Sequence, residues 1–390
     1  MHGLKAIIVG AGMGGLTTAI AMRNAGFDCA VYDRVGALQA AGAGVSLWSN
    51  GVKVLNRLGL GAAVAAIGGR MERVIYRRHD GETLTDFALQ PLVDRVGQRP
   101  YPVTRTELQH LLLSALPDGL VHLNSECVDV EQDAHSATAI FRDGRRVCGD
   151  LVVAADGTHS KLRGHVLGTH QERRYVGYVN WNGLVPASKN LAPERSWVVY
   201  VGQHQRASMM PVGGERLYFF FDVPLPALPA GAKSDPSRFR AELSAHFKGW
   251  AEPVQQLIAQ LDPQTTNRVE IHDLDPLPCL VRGRVALLGD AGHSTAPDLG
   301  QGGCQAMEDA WTLAHCLLTT NIGVEDALQR YDAARRDRVA DVIRKARKRA
   351  HMTHGHDPAR TLAWYDELAQ EDGHSIMRAI GDTIVDGPMG

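Results

Sequence analysis

The sequence predicts an α/β fold in which a doubly wound, mostly parallel sheet is interrupted by an inserted, mostly antiparallel sheet and followed by C-terminal helices. The apolar run LKAIIVG precedes a glycine turn, a segment with helical spacing and the strand DCAVYDR, which together form the unit that opens such sheets. Two later β-rich runs, LVVAADG and GRVALLGD, end in Asp-Gly or Gly-Asp. Between them, residues 173–279 are rich in aromatic and β-branched residues, as antiparallel strands are.

The order of these segments predicts two interlocked domains. The nucleotide-binding domain would consist of residues 1–72, 98–172 and 280–350, and the inserted sheet domain of 73–97 and 173–279. Residues 351–390 would form a C-terminal helical segment. We interpret the basic run RKARKRAHMTHGHD as a solvent-exposed helix face, because the rest of the chain has no basic stripe that could follow a nucleic acid.

Composition favours small-molecule partners. The formal net charge of the 390 residues is -2, so no global field attracts nucleic acid or an anionic membrane. No apolar run reaches the roughly 18 residues that a membrane span needs. The six cysteines are scattered without metal-ligand spacing, which is typical of free thiols in a reducing compartment. With no signal-peptide pattern at the N-terminus, we expect a cytoplasmic protein, a monomer or a weak homo-oligomer.

The first chemical motif is G-x-G-x-x-G at Gly10, Gly12 and Gly15, directly after the first strand. Such glycines permit a tight turn, close approach to a pyrophosphate and close packing of helix on strand. Asp33 ends the second strand, where a carboxylate can accept hydrogen bonds from ribose hydroxyls. The pattern predicts a Rossmann-like dinucleotide-binding domain.

Two further motifs place Asp156 and Asp290 at strand ends. The stretch GDAGHSTAPDLGQGG also contains His293 and Ser294, but it lacks the G-x-S-x-G context of a serine nucleophile. His293 and Asp298 alone make a poor metal site, so we expect no metal. Whether His293 shapes the cofactor's environment or caps a turn stays open at this point.

Taken together, the three motifs resemble the class A FAD-dependent aromatic monooxygenases of the para-hydroxybenzoate hydroxylase type, from residue 4 to about residue 350. The resemblance implies tightly but non-covalently bound FAD, NADH as a transient electron donor and O2 as co-substrate. It also implies that the inserted sheet is the substrate domain and that the helix starting near Cys304 points its positive end at the flavin ring. The FAD contacts that it implies come from Gly10, Gly12, Gly14, Gly15, Asp33, Arg34, Ser46, Arg105, Val128, Asp156, Asp290, Pro297, Gly300, Gln301, Gly302, Gly303 and Cys304.

The inserted sheet offers candidate substrate contacts. Strand alternation in ERLYFFFDVP puts Tyr218, Phe220 and Asp222 on one face, and nearby strands carry Arg206 and Asn180. Singly, these residues could be a packed phenol, a surface cation and an edge amide. Together they predict an aromatic slot for a flat, anionic, amide-rich heterocycle.

The strings YVNWNGLV, FFFDVPLPA, LDPQTTNRVEIHD and LVRGRVALLGDAGHS closely resemble the bacterial FAD-dependent urate hydroxylases. That resemblance implies conversion of urate to 5-hydroxyisourate through a C4a-hydroperoxyflavin. Asn180, Arg206 and Tyr218 would bind substrate, and Arg206 and Tyr218 would be catalytic. The alternative is hydroxylation of another anionic aromatic, such as salicylate or a hydroxynicotinate. A simple NAD dehydrogenase would leave the third motif unexplained, and the W-x-W-x-I-P string of flavin halogenases is absent from the sequence.

Overall fold

The computed structural model describes residues 3–38, 42–229, 231–318 and 323–389. The strands in this part of the chain are β1 Lys5–Val9, β2 Asp28–Tyr32, β3 Gly44–Val45, β4 Arg73–Arg78, β5 Thr83–Ala88, β6 Val103–Thr104, β7 Val121–His122, β8 Cys127–Gln132, β9 Ala137–Phe141, β10 Arg146–Gly149, β11 Leu151–Ala154, β12 Arg174–Pro186, β13 Ser196–Gly202, β14 Gln205–Val212, β15 Arg216–Val223, β16 Asn267–Asp273, β17 Val281–Arg282 and β18 Val285–Leu287. The helices are α1 Met13–Asn24, α2 Ser49–Arg57, α3 Gly61–Ile67, α4 Gln90–Val96, α5 Arg105–Ser114, α6 Arg163–Leu167, α7 Phe239–His246, α8 Glu252–Gln260, α9 Asp290–His293, α10 Gly302–Leu318, α11 Val324–Thr353, α12 Pro358–Ala369 and α13 His374–Val385.

A six-stranded sheet has the order β17-β18-β11-β1-β2-β7. All its pairs are parallel except β17 with β18. Strand β1 is almost wholly buried, as expected of a central strand covered on both faces. Helix α10 packs along α1 on one side of the sheet. The expected α/β class is thereby confirmed.

The seven-stranded sheet has the order β16-β12-β15-β14-β13-β4-β5. Its pairs are antiparallel except that β13 runs parallel to β4. Residues 73–88 therefore belong to the same sheet as strands that lie more than a hundred positions later in the chain. Helices α7 and α8 cover one face, where Phe219, Phe221 and Phe247 form part of a buried apolar cluster. The other face carries the polar residues discussed below.

Helix α11 runs without interruption from residue 324 to residue 353, through the boundary at 350 that the sequence suggested. Its basic C-terminal half is partly paired, because Arg347 contacts Asp273 and Asp275 and Arg349 lies over the ring of Trp364. No helix in the described ranges is both long enough and apolar enough to cross a membrane.

Candidate active site and cofactor cavity

A cavity of about 630 Å³ lies between the carboxyl ends of the parallel strands and the polar face of the seven-stranded sheet. Open α/β sheets bind ligands at this edge. Its walls combine residues from the three glycine and aspartate motifs with residues from β12, β14 and β15. One continuous space therefore brings together the predicted dinucleotide site and the predicted substrate slot.

The first motif forms the turn from β1 into α1. Gly10 has φ +109°, and a Cβ there would lie 2.1 Å from the carbonyl oxygen of Ala155, so the turn needs glycine for both conformation and space. A Cβ on Gly12 would meet nothing within 4 Å. Open space in front of a helix N-terminus, with Gly12, Met13 and Gly14 lining it, suits a pyrophosphate.

Asp33, Arg34, Ser46 and Arg105 also line the cavity. The carboxylate of Asp33 accepts hydrogen bonds from the backbone N–H of Ala11 at 2.6 Å and of Val35 at 3.1 Å. It is thus fixed against the glycine turn. Each carboxylate oxygen can accept a second hydrogen bond, so contact with ribose hydroxyls is compatible with this arrangement.

Asp156 has one satisfied and one unsatisfied carboxylate oxygen. Its Oδ2 accepts from the backbone N–H of Lys161 at 2.9 Å. Its Oδ1 is buried without a hydrogen-bond partner in the described residues. Because Asp156 lines the cavity, and because a buried acceptor without a partner is costly, the site fits a ligand that brings hydroxyl or N–H donors.

Arg163, which the sequence analysis did not single out, joins the second motif to the third. Its Nε donates to the carbonyl oxygen of Ala291 at 2.7 Å, and its Nη2 donates to those of Thr158 and Asp290, each at 3.1 Å. The side chain is buried. An arginine in a strand-to-helix turn gives no sequence signal that distinguishes this role from a surface charge.

His293 does not belong to the cavity wall of the described residues. It is buried, and its Nε2 lies 2.5 Å from Oδ2 of Asp309, which also accepts from the backbone N–H of Gly289 at 2.9 Å. Arg335 donates to the other carboxylate oxygen of Asp309 at 2.6 Å. Despite complete burial, the charges of His293 and Arg335 hold the pKa of Asp309 down to about 2. His293 therefore helps to anchor the Gly289 turn from behind.

The glycine-rich segment after Asp290 is divided between the cavity and the core. Pro297, Gly300, Gly302 and Gly303 line the cavity together with Asp290. Gly300 has φ +62°, and a Cβ there would lie 2.7 Å from Nε1 of Trp48, so the protein itself already requires glycine at this position. Helix α10 starts at Gly302 with its first turn at the cavity.

Four of the predicted cofactor residues lie outside the cavity wall. Gly15 is one of them, and a Cβ there would lie 1.9 Å from the carbonyl oxygen of Gly10, so it serves the packing of helix on turn. Gln301 is buried, and its Oε1 accepts from Asn50. Cys304 is fully buried on α10, where burial raises the pKa of its thiol to about 12. Val128 lies on β8 just after Ser125, Glu126 and Cys127, which do line the cavity. A motif match does not resolve which of several neighbouring residues reach the cavity.

On the substrate side, the structure brings Asn180, Arg206, Tyr218 and Phe220 together on the cavity wall. The guanidinium carbon of Arg206 lies 5.1 Å from the centroid of the Phe220 ring. Strand β15 turns Tyr218 and Phe220 to this side, while Phe219 is buried in the apolar cluster. The alternation of side chains that the sequence predicts is therefore the one that β15 adopts.

Arg206 is not the isolated cation that the sequence suggested. Its Nη2 lies 2.6 Å from Asp222 Oδ2 and 3.2 Å from Asp298 Oδ1, and its Nε donates to Asp222 at 2.7 Å. Burial lowers the pKa of Arg206, but the two carboxylates outweigh that effect, so it stays charged. No partner for Nη1 occurs within the described residues, and that nitrogen is left for a ligand.

Asn180 and Tyr218 differ in how far the protein occupies them. Asn180 donates to Asp222 at 2.6 Å and accepts from Asn182 at 2.7 Å, so its amide has limited capacity left. Burial raises the pKa of Tyr218 to about 12, which keeps the phenol neutral at physiological pH. A Cβ on Gly44 would lie 2.4 Å from the Tyr218 ring. Gly44 thus sets the position of the phenol, a role the sequence gave no sign of.

The cavity therefore fits FAD on three counts. It offers a glycine turn with free space at a helix N-terminus, an unsatisfied buried carboxylate oxygen at Asp156, and a second helix N-terminus at Gly302. No group of three His, Cys, Asp or Glu side chains that could hold a metal ion occurs in the described ranges.

Comparison with known proteins agrees with this geometry. The family model described as FAD binding domain matches residues 4–346. An FAD-dependent urate hydroxylase of Klebsiella pneumoniae subsp. pneumoniae is 51% identical over 388 residues, which are 99% of this chain and 100% of the relative. One from Mycolicibacterium vanbaalenii is 48% identical over 389 residues, 99% of this chain and 98% of the relative.

Among solved structures, the crystal structure of Klebsiella pneumoniae HpxO complexed with FAD and uric acid superposes with a TM-score of 0.95. It is 51% identical in sequence, and the match covers 99% of this chain and 98% of that one. The resemblance inferred from the sequence motifs is confirmed.

Proposed function

Since this chain is a member of the FAD binding domain family, we propose that it is an FAD-dependent urate hydroxylase, which converts urate to 5-hydroxyisourate with O2 and NADH. One observation carries the proposal. A single cavity is lined both by the three dinucleotide motifs and by Asn180, Arg206 and Tyr218. Relatives that match over the whole chain at about half identity carry this activity in their names.

The proposal assigns the cofactor contacts by position in the cavity. The Gly10–Gly15 turn and the α1 N-terminus hold the pyrophosphate, Asp33 the adenosine ribose and Asp290 the ribityl chain. Arg34, Ser46, Arg105, Asp156 and Pro297 complete the wall. Val128 contacts adenine through its backbone, and Gln301 and Cys304 act by holding the α10 N-terminus. Bound FAD supplies hydride acceptance from NADH and oxygen activation.

The chain's own contribution to the reaction is orientation and charge. Urate is a flat, anionic oxopurine, so it can lie against Phe220 while Nη1 of Arg206 donates to its delocalised negative charge. The neutral phenol of Tyr218 donates a further hydrogen bond. The enclosed wall excludes water around the reacting carbon. No strong base is required, because the urate anion is already an electron-rich nucleophile.

Three further proposals concern NADH binding, cellular location and oligomeric state. NADH binds only transiently, without a second complete glycine motif. No disulfide joins the cysteines of the described residues, which supports a cytoplasmic location. The protein acts as a monomer or a weak homo-oligomer on a small-molecule substrate.

The decisive experiment uses purified protein loaded with FAD. NADH oxidation is followed by absorbance and O2 uptake with urate, salicylate or hydroxynicotinate, and 5-hydroxyisourate is measured as product. We expect NADH oxidation to rise many-fold with urate and to rise much less with the others. If only salicylate or hydroxynicotinate stimulated NADH oxidation, the substrate would be another anionic aromatic and not urate.

The variant Arg206→Met tests the substrate slot. Removing the guanidinium leaves the urate anion without its donor, so oxygen transfer should fall by at least about tenfold while FAD stays bound. Arg238→Met, which removes a surface guanidinium paired only with Glu242, is the matched control. If Arg206→Met lost FAD but turned over urate normally, the assignment of Arg206 to the substrate would be wrong.

A further inference from the structure

Behind Arg206 lies a buried group of side chains, Tyr178, Asp222, Asp298 and His354, which we call the carboxylate cluster. None of the four lines the cavity. Asp222 and Asp298 both contact Arg206, and Tyr178 donates to Asp298 Oδ2 at 2.6 Å. His354 is the residue that caps the C-terminus of α11. His354, which is far from Arg206 along the chain, thus lies beside Asp298, the carboxylate that supports the guanidinium of Arg206.

Both ring nitrogens of His354 face oxygen acceptors. Its Nδ1 lies 3.4 Å from the carbonyl oxygen of His204. Its Nε2 is buried without a hydrogen-bond partner in the described residues and lies 3.7 Å from Asp298 Oδ1, which is ion-pair distance. The side chains of His354 and Asp298 are both fully buried. In either neutral tautomer one nitrogen would direct a lone pair at an acceptor, whereas the imidazolium directs an N–H at each. The geometry therefore favours the charged ring.

Stacking supports the same protonation state. The His354 ring lies on the Tyr178 ring with centroids 4.0 Å apart and planes at 28°. The face of a phenol ring attracts a cation. Tyr178 itself stays neutral, since burial and the nearby carboxylates raise its pKa well above the ordinary value.

The charge balance shows what the imidazolium does. Arg206 faces two carboxylates, so these three groups alone carry a net negative charge next to the cavity. An anionic substrate would be repelled by that excess. A positive charge on His354, beside Asp298, makes Arg206 and the carboxylate cluster together neutral.

We propose that His354 is a positioning residue for substrate: its imidazolium offsets Asp298, so that Arg206 can present Nη1 to an anionic oxopurine. This inference rests on the proposed urate hydroxylase function. Asp298, shared between Arg206 Nη2 and the His354 ring, transmits the effect. The substrate affinity of the slot thus depends on a histidine that never touches the substrate.

Two glycines hold the histidine turn in place. A Cβ on Gly355, where φ is +75°, would lie 2.6 Å from the ring of His204. A Cβ on Gly177, in the irregular part of β12, would lie 2.6 Å from Nε2 of His356. Each glycine leaves room for a ring from the opposite segment. The end of α11 is therefore seated closely against the sheet that carries Arg206.

The test compares His354→Gln with the double variant Asp298→Asn/His354→Gln. Glutamine removes the positive charge, so the KM for urate should rise on the order of tenfold with a smaller effect on kcat. Asparagine at 298 then removes the excess negative charge, and the double variant should recover a lower KM than the single variant. A merely structural role predicts that the double variant is worse than either single one.

Three measurements separate this inference from the proposed function. The wild type must first show urate-stimulated NADH oxidation; its absence refutes the proposed function and not the histidine's role. FAD affinity, from flavin fluorescence, should be unchanged in His354→Gln. His351→Gln, in the same last turn of α11 but stacked on His356, should keep the wild-type KM.

Two results would overturn the inference. One is a wild-type KM for urate in His354→Gln, and the other is a double variant with a higher KM than that single variant. If His354→Gln does not retain FAD, the KM of the double variant for urate is the measurement that tests the inference. A KM within about fivefold of the wild type then supports charge compensation, and a larger increase refutes it.

Discussion

Arg206 presents one edge of its guanidinium to the cavity and the other to Asp222 and Asp298. A guanidinium can do this because its donors form a rigid, planar fork, which the single ammonium of lysine cannot reproduce. Tyr218 is fixed in a different way, by the absence of a side chain at Gly44. These two groups of the cavity wall are thus positioned by neighbours that do not share their strand.

Gly44→Ala tests the contact that sets Tyr218. The added methyl group would lie 2.4 Å from the ring, so the ring must move away from the cavity, and the KM for urate should rise on the order of tenfold. Steady-state kinetics measures this, and flavin fluorescence should report FAD still bound. Gly164→Ala on α6, where the nearest atom to the new Cβ lies 3.8 Å away, serves as the control. Equal kinetics in the two variants would refute the role of Gly44.

At the scale of elements, helices α10 and α11 both contribute side chains that hold the turn at Asp290. Helix α10 contributes Asp309, which accepts from the Gly289 backbone and from His293. Helix α11 contributes Arg335, which reaches Asp309 and Glu308. The turn is therefore positioned by its own His293 together with buried ion pairs between two helices.

Asp309→Asn should weaken FAD binding. The amide cannot accept from His293, Gly289 and Arg335 as the carboxylate does, so the turn loosens and the dissociation constant of FAD should rise at least about tenfold. Flavin fluorescence during titration of the apoprotein measures it. Asp341→Asn, which breaks only the exposed pair with Lys345, should bind FAD like the wild type. Unchanged FAD affinity in Asp309→Asn would show that the turn holds its shape without the ion pairs.

The sequence predicts the local parts of this arrangement better than the distant ones. The glycine turn, the first strands and the alternation of β15 follow from spacing within a few residues. Asp298, Arg163, His354 and Asp309 act through partners on other elements, and no local pattern marks such partners. Gln301 and Cys304 match a motif, yet the start of α10 at Gly302 turns them into the core.

At the scale of the whole molecule, Asp298 and Asp309 are among the buried carboxylates that are paired with cations. Burial opposes the ionisation of Asp298, but His354 and Arg206 hold its pKa down to about 2. Asp309 is held down to about 2 in the same way by His293 and Arg335. A folded-state pKa below that of the unfolded chain contributes stability at higher pH, and this contribution is lost as pH falls through the folded-state value.

The protein should accordingly lose stability steeply between about pH 4 and pH 2, the interval between the ordinary value of 3.8 and the lowered value. Chemical unfolding followed by circular dichroism at several pH values measures the slope. Asp298→Asn should unfold with a shallower slope in this interval. Asp118→Asn, at an exposed position after α5, should keep the wild-type slope, and identical slopes in all three proteins would contradict the argument.

The interleaving of the two sheets has a consequence for biosynthesis. Strand β1 pairs with β11 about 145 residues later, β4 pairs with β13, and the cavity wall is completed only by Gly302, Gly303 and Ala306. Contacts between such remote segments form slowly, since loop closure must precede them. A nascent chain on the ribosome consequently has no complete cofactor cradle until more than three quarters of it has been synthesised. Cofactor uptake is then a late, largely post-translational event.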